Sequence, residues 1–286
     1  MKYRYLGDEI IYDEKQCLTL RFLYNTLCGR ALLKIATRKL VTKASAVVMD
    51  SRLSKVTIKK YVKKHNINLE GCEEKKYKSF NDFFCRKLKR IDDKSGSEDF
   101  ISTANSKISY FKISKDLLIN VKNSTYSIEE LVKDKELAEE YKDGICLVYR
   151  LSPSHYHRYI YCDSGTQIHL KKIKGKFHTV NPIVYERYKV FSENSREVTQ
   201  LNTNHFGKII QIEVGALCTG RIVNHDMLEY SKCTEKGYFE YGGSTIIHLI
   251  KKDCVDIDEQ IIENSKEEIE TLVNIGEVIG KKHYSM

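Results

Sequence analysis

Residues 145–151 read Ile-Cys-Leu-Val-Tyr-Arg-Leu, residues 208–214 read Lys-Ile-Ile-Gln-Ile-Glu-Val, and residues 244–250 read Ser-Thr-Ile-Ile-His-Leu-Ile. The runs are short, rich in β-branched and aromatic side chains, and bounded by glycine, which is the composition of strands. Tyr156 to Cys162, Thr166 to Ile173 and Thr219 to His225 continue the pattern, with Gly165, Gly175, Gly207, Gly215, Gly220 and Gly237 as punctuation. No βαβ alternation runs through this half of the chain. The expected fold class is therefore α+β, with helices first and a mixed or antiparallel β-sheet after them.

Upstream the period changes. Leu23, Leu27, Ala31 and Ile35 form one helical stripe within residues 17–45, with Leu20, Leu32 and Leu33 beside it. Thr57 to His65 continues in the same style. Between Arg21 and Asn66 twelve basic residues face a single acid, Asp50, so the chain's excess of +9 lies there. Three readings fit a cationic amphipathic segment: a surface helix on its own core, a contact with anionic membrane, or nucleic acid. Nucleic acid is disfavoured, because an enzyme-like β domain follows. Phe80, Phe83 and Phe84 fall on one helical face, and Ser127 to Tyr141 reads as a helix with Ser127 and Glu130 as a capping box. The polar stretch 92–99 divides a helical, membrane-associating region, 1–91, from a β-rich domain, 92–286.

A chain of 286 residues, 41% hydrophobic and 30% charged, can bury a core. No apolar run approaches the roughly 20 residues of a spanning helix, and the first residues lack the apolar core of a secretory signal. The nine cysteines include no CxxC pair, so they are expected as reduced thiols, with no disulfide framework and no metal cluster.

Two short stretches could carry chemistry. Tyr241-Gly242-Gly243-Ser244-Thr245 either turns into a strand or presents the Gly243 carbonyl to close attack, since neither glycine carries a Cβ. His155 and His157 share a face if Leu151 to Arg158 is a strand, and are otherwise ordinary satisfied or exposed histidines. A metal would need a third ligand, and none stands at a telling distance.

Six segments follow one another in order: Phe80-Asn81-Asp82-Phe83-Phe84 with Arg86 and Leu88; Leu151-Ser152-Pro153 with Tyr156-His157-Arg158; Gly175 with Val180-Asn181-Pro182; Asn194-Ser195-Arg196-Glu197; Val214-Gly215-Ala216 with Gly220; and Lys236-Gly237-Tyr238-Phe239 followed by Gly242-Gly243-Ser244-Thr245-Ile246-Ile247. Taken together they resemble one family, the pyruvoyl-dependent phosphatidylserine decarboxylase proenzymes.

The resemblance implies that Ser244 attacks the Gly243 carbonyl and cuts the chain into 1–243 and 244–286. Ser244 then becomes a covalent pyruvoyl group. That group would form a Schiff base with phosphatidylserine and act as electron sink for loss of CO₂, leaving phosphatidylethanolamine. His157 is the candidate proton donor, and His155, His178 and Thr245 are candidate substrate contacts. The implied partners are the two chains of the cut proenzyme and an anionic phospholipid surface, reached as a peripheral protein on the cytoplasmic side of the cell membrane. A homodimer stays an open alternative.

Three positions depart from the family pattern: Ile160 stands where a second His is expected, Asn105 replaces an Asp, and His155 replaces the Asp before Tyr-His-Arg. Serine self-processing needs a base and a carboxylate to orient it, and an amide in place of that carboxylate costs about 10⁴ in rate in serine proteases. Either His155 or His178 substitutes, or the chain is a non-processing homologue that keeps the fold and lipid binding.

Overall fold

The three apolar runs lie side by side. In the computed structural model, strand Ser244–Ile250 is hydrogen-bonded between Lys208–Val214 and Ile145–Leu151, each pairing antiparallel over the full apolar length. The model describes residues 2–284 apart from 15–16, 74–75, 92–94, 122–123, 218–220 and 242–243. The full sheet runs Glu229–Tyr230, Gly165–Ile173, Arg196–Thr203, Lys208–Val214, Ser244–Ile250, Ile145–Leu151, Ser106–Lys112, Glu270–Val273, Lys2–Tyr5, Ile11–Asp13. Lys2–Tyr5 joins Glu270–Val273 in parallel, which makes the sheet mixed.

Both faces are covered, which explains why the central strands read as near-continuous apolar runs. Val148, Ile212, Ile247 and Leu249 point into one core with Tyr24, Leu33, Leu131 and Phe191. Leu147, Leu151, Ile209 and Ile246 point into the other, with Phe100, Ile160, Phe206 and Ile261. Two three-stranded sheets supply much of that second cover: Ile222–Asn224, Glu235–Phe239 and Arg158–Ile160 form one, and Val255–Ile257, Val278–Lys282 and Asp99–Ile101 the other.

The 17–45 stripe is not one helix. It divides into α1 (Leu18–Asn25), α2 (Leu27–Ala36) and α3 (Lys39–Asp50). Thr26 is extended, and its Oγ1 accepts from the Gly29 amide at 3.0 Å to cap α2. The apolar positions then part company. Leu20 and Leu23 pack on the first core, while Leu27, Leu32 and Ile35 are 78%, 53% and 57% exposed. After α4 (Ile58–His65), α5 (Phe80–Phe84) is capped by Ser79 and buries the three expected phenylalanines.

Further corrections are local. Ser127–Tyr141 breaks into α6 (Ile128–Val132) and α7 (Lys135–Glu139), because Lys133 is left-handed (φ 55) and Asp134 caps a new start. Ser127 is the N-cap of α6 but makes no capping bond, so the capping box does not form. Residues 2–13, grouped with the helical region, supply the last two strands of the sheet, Lys2–Tyr5 and the edge strand Ile11–Asp13. The strand read over 156–162 is only Arg158–Ile160, so His155 and His157 lie in the turn before it and share no strand face.

Candidate active site

Ser244 opens the central strand and pairs with Leu151, the last residue of Ile145–Leu151. Side chains alternate along a strand, so Ser244 faces the second core with Ile246, and Thr245 faces the first. Ser244 is 1% exposed, and its Oγ has no hydrogen-bond partner among the described residues. Burying a hydroxyl this way costs free energy that folding alone does not recover. Gly242 and Gly243, including the expected scissile carbonyl, lie outside the described residues.

Two chain crossings tie the His157 segment to the one that leads to Ser244. Leu151 is fastened to Ser244, and the His157 carbonyl accepts from the Phe239 amide at 2.9 Å. Leu151 and His157 are therefore tied to Ser244 and Phe239 in turn. The imidazole is fully buried and packs on Phe84, ring centroids 4.1 Å apart, and Phe84 packs in turn on Tyr241. Its Nδ1 lies 2.9 Å from the His155 carbonyl oxygen. A carbonyl only accepts, so Nδ1 carries the hydrogen and Nε2 keeps its lone pair. Nε2 is buried and unpartnered among the described residues. Burial, then the Arg86 charge, hold this imidazole well below the usual histidine range, so it is neutral at physiological pH.

His155 is differently engaged. Its Nδ1 accepts from the Ser152 amide at 3.2 Å, which leaves its hydrogen on Nε2 and no free lone pair. Burial, then the Lys107 and Arg150 charges, push it down to about 3. Those charges belong to a buried network under the turn. Arg150 grips Glu270 through two bonds of 2.8 and 2.6 Å, and both Arg150 and Lys107 reach Glu14. The network had a sequence signal, charged residues inside an apolar strand, that the motif reading passed over.

The other expected residues spread outward. Thr245 Oγ1 is buried and unpartnered among the described residues, on the sheet face opposite Ser244. His178 belongs to a different wall. The Asn194 side chain bonds both its amide and its carbonyl, Tyr188 stacks on it at 4.2 Å, and the Tyr24 hydroxyl lies 3.4 Å from Nδ1. Burial, then Lys176, lower it to about 4. Gly175 permits this packing: a Cβ there would sit 2.2 Å from the Glu193 carbonyl oxygen. Beyond it, α2 and His178 line a groove of about 840 Å³ edged by Arg30, Lys34, Arg38 and Lys176.

The departures from the family pattern are now placed. Asn105 Oδ1 accepts from the Ile275 amide at 2.7 Å, so that oxygen holds a turn. Ile160 is fully buried in the second core, and its amide and carbonyl both bond Thr103. Among the described residues no group of His, Cys, Asp and Glu could hold a metal ion.

A family model described as phosphatidylserine decarboxylase matches residues 80–281. The chain is 46% identical over 277 residues to phosphatidylserine decarboxylase proenzyme 2 of Clostridium acetobutylicum, covering 95% of each chain. It is 38% identical over 285 residues to the phosphatidylserine decarboxylase proenzyme of Clostridium perfringens, covering 95% of this chain and 96% of that one. The proenzyme of Ruminiclostridium cellulolyticum is 40% identical over 271 residues, with 91% and 90% covered.

Proposed function

This chain belongs to the phosphatidylserine decarboxylase family, and from that premise we propose that it is a proenzyme that cuts itself before Ser244 and then converts phosphatidylserine to phosphatidylethanolamine and CO₂. One observation carries the reading: a serine hydroxyl and an imidazole lone pair, both buried and both unpartnered among the described residues, lie on segments fastened to each other at both ends. His157 Nε2 takes the Ser244 proton as Oγ attacks the Gly243 carbonyl, exchanging the peptide bond for an ester. Elimination at residue 244 then frees chain 1–243 as a carboxylate and leaves a dehydroalanine, whose imine form takes up water and releases ammonia to give the pyruvoyl ketone. This assignment needs neither a second histidine at 160 nor a carboxylate at 105, because the His155 carbonyl already fixes the His157 tautomer.

The residues fit a pyruvoyl group, since the side chain that would become it has no structural bond to give up. When formed, that group supplies a ketone that draws electrons from the substrate as CO₂ leaves. Phe84 and Tyr241 keep water from His157. An anionic headgroup beside the imidazole raises its affinity for a proton, so Nε2 can deliver one to the substrate carbon. Thr245 faces the other side of the sheet and His178 lies in a different wall, so neither is a substrate contact in this reading.

Lipid reaches the protein as a peripheral ligand in this reading. Among the described residues no helix is long and apolar enough to cross a membrane. The exposed Leu27, Leu32 and Ile35 of α2 stand beside Arg30, Lys34 and Arg38, a composition suited to an anionic lipid surface.

The test is an intact mass spectrum of the purified chain, with and without a ketone-reactive hydrazide, beside a phosphatidylserine turnover assay. Two species matching 1–243 and 244–286, the smaller hydrazide-reactive, are expected, with Ser244→Ala remaining whole. A single uncut, inactive species would refute the proposal.

A further inference from the structure

Five cations are buried among the described residues: Arg86, Lys107, Arg150, Arg196 and Lys236. Four are accounted for. Lys107 and Arg150 pair with Glu14 and Glu270, Lys236 pairs with Glu213, and Arg196 donates to four backbone carbonyls. Arg86, 5% exposed, is not. Its Nη2 reaches the His155 carbonyl oxygen at 3.3 Å, and its guanidinium stands 5.3 Å from the Phe83 ring centroid. Nε and Nη1 have no hydrogen-bond partner among the described residues. A guanidinium keeps its charge at any pH the protein meets, so leaving most of its fork undone in the interior is costly unless a ligand completes it.

Its placement points to the reaction site. Arg86 follows α5, and α5 clamps the segment that leads to Ser244: Asn81 Oδ1 accepts from the Tyr241 amide, and the Cys85 thiol reaches the Phe239 carbonyl. The Cys85 and Arg86 carbonyls accept from Arg158 Nε, next to His157.

We propose that Arg86 anchors the phosphodiester of the lipid headgroup, with Nε and Nη1 as its donors. This rests on the decarboxylase reading. The substrate has two anions, and the chemistry separates them. A guanidinium on the carboxylate would stabilise the charge that must be lost with CO₂, and so bind the ground state better than the transition state. The phosphodiester keeps its charge throughout, lies a few bonds from the reacting amine, and matches the planar fork.

The test uses the full-length chain as wild type, Arg86→Gln and Arg86→Lys. Burial, the larger cause, still keeps His157 neutral without the Arg86 charge, so Arg86→Gln should still cut itself; it should raise KM for phosphatidylserine in mixed micelles about 10- to 100-fold, a larger change than any in kcat. Arg86→Lys should fall between, keeping the charge but not the fork. In calorimetry, glycerophosphoethanolamine, which has the phosphodiester and no carboxylate, should lose affinity to Arg86→Gln, while free serine binds both proteins alike. The opposite pattern assigns Arg86 to the carboxylate and overturns the proposal. Inorganic phosphate binding as well as glycerophosphoethanolamine overturns it in favour of a general anion site. Unchanged KM and affinities overturn it, as does failure of both folded variants to self-cleave, which would assign Arg86 to maturation. An uncut, inactive wild type refutes the decarboxylase reading instead, and the calorimetric comparison still decides the role of Arg86.

Discussion

Replacing His157 by Gln should slow self-cleavage by about 10² to 10⁴, the span that one positioned base contributes. The structure gives the reason for expecting that full span. Nδ1–H is committed to the His155 carbonyl at 2.9 Å, so Nε2 is the nitrogen available, and burial with the Arg86 charge keeps it unprotonated. No fraction of wild type is lost to the imidazolium near neutral pH. Glutamine fills similar space against Phe84, so packing is largely kept, but its amide cannot take a proton. The loss corresponds to about 3–5.5 kcal/mol of barrier. The assay is the uncut fraction by intact mass after a brief pulse of synthesis, followed over time from pH 5 to 8. Wild type should hold a flat rate from pH 8 down through 6.5, because a base whose folded value lies well below 6.5 loses activity only in stronger acid. A Gln variant that cuts within about threefold of wild type would refute Nε2 as the base. So would a wild-type rate that falls about twofold or more between pH 8 and 6.5, because that needs a group with an ordinary or raised value.

Three further outcomes follow from other parts of the molecule. Burial alone would raise the Glu14 carboxyl, yet Arg150 at 2.8 Å and Lys107 at 3.0 Å outweigh it and hold it at about 2, below its ordinary 4.5. Its stabilisation is therefore complete above pH 4.5 and lost as pH falls toward 2; Glu14→Gln should remove about 2–3 kcal/mol at pH 7 and flatten the acid limb of urea unfolding. An unchanged acid limb would contradict this. Gly175→Ala places a Cβ 2.2 Å from the Glu193 carbonyl oxygen and should cost about 1–3 kcal/mol by denaturant melts, with no loss meaning that the His178 wall yields freely. Reversing Arg30, Lys34 and Arg38 to Glu should abolish flotation with phosphatidylserine vesicles, since each basic residue near such a surface contributes about 1 kcal/mol; retained flotation would move the contact elsewhere.

The central strands were legible because burial on both faces writes itself into composition: 145–151, 208–214 and 244–250 begin and end where the apolar runs do. Strands Lys2–Tyr5 and Ile11–Asp13 were not, because Lys2–Tyr5 joins the sheet through Glu270–Val273, far away in the chain, and the exposed residues of both strands carry no pattern. The helical stripe failed at Thr26, where a side-chain cap overrode a period that the apolar residues alone would have continued. At the candidate site, motif order put Ser244 and His157 forward, and burial leaves Ser244 Oγ and His157 Nε2 without a partner among the described residues. Order says nothing of where an amide points, and Asn105 Oδ1 turns to the Ile275 amide. Arg86 stood in the first motif without a role, since an unanswered charge shows only when its surroundings are known.

Ser244 begins a strand with a neighbour along each side and core on each face. A small chain that starts there is the middle plank of the sheet. Once severed as proposed, it would have no route out that leaves its neighbours standing, and its new terminus would be held in register by the rungs to Leu151 and Val214. The peptide bond before Ser244 would then matter most while the polypeptide is assembling, as the tether that delivers the plank to its slot. The proposed scission would belong after assembly, and two separately made fragments would have to build the sheet around an insert from another molecule.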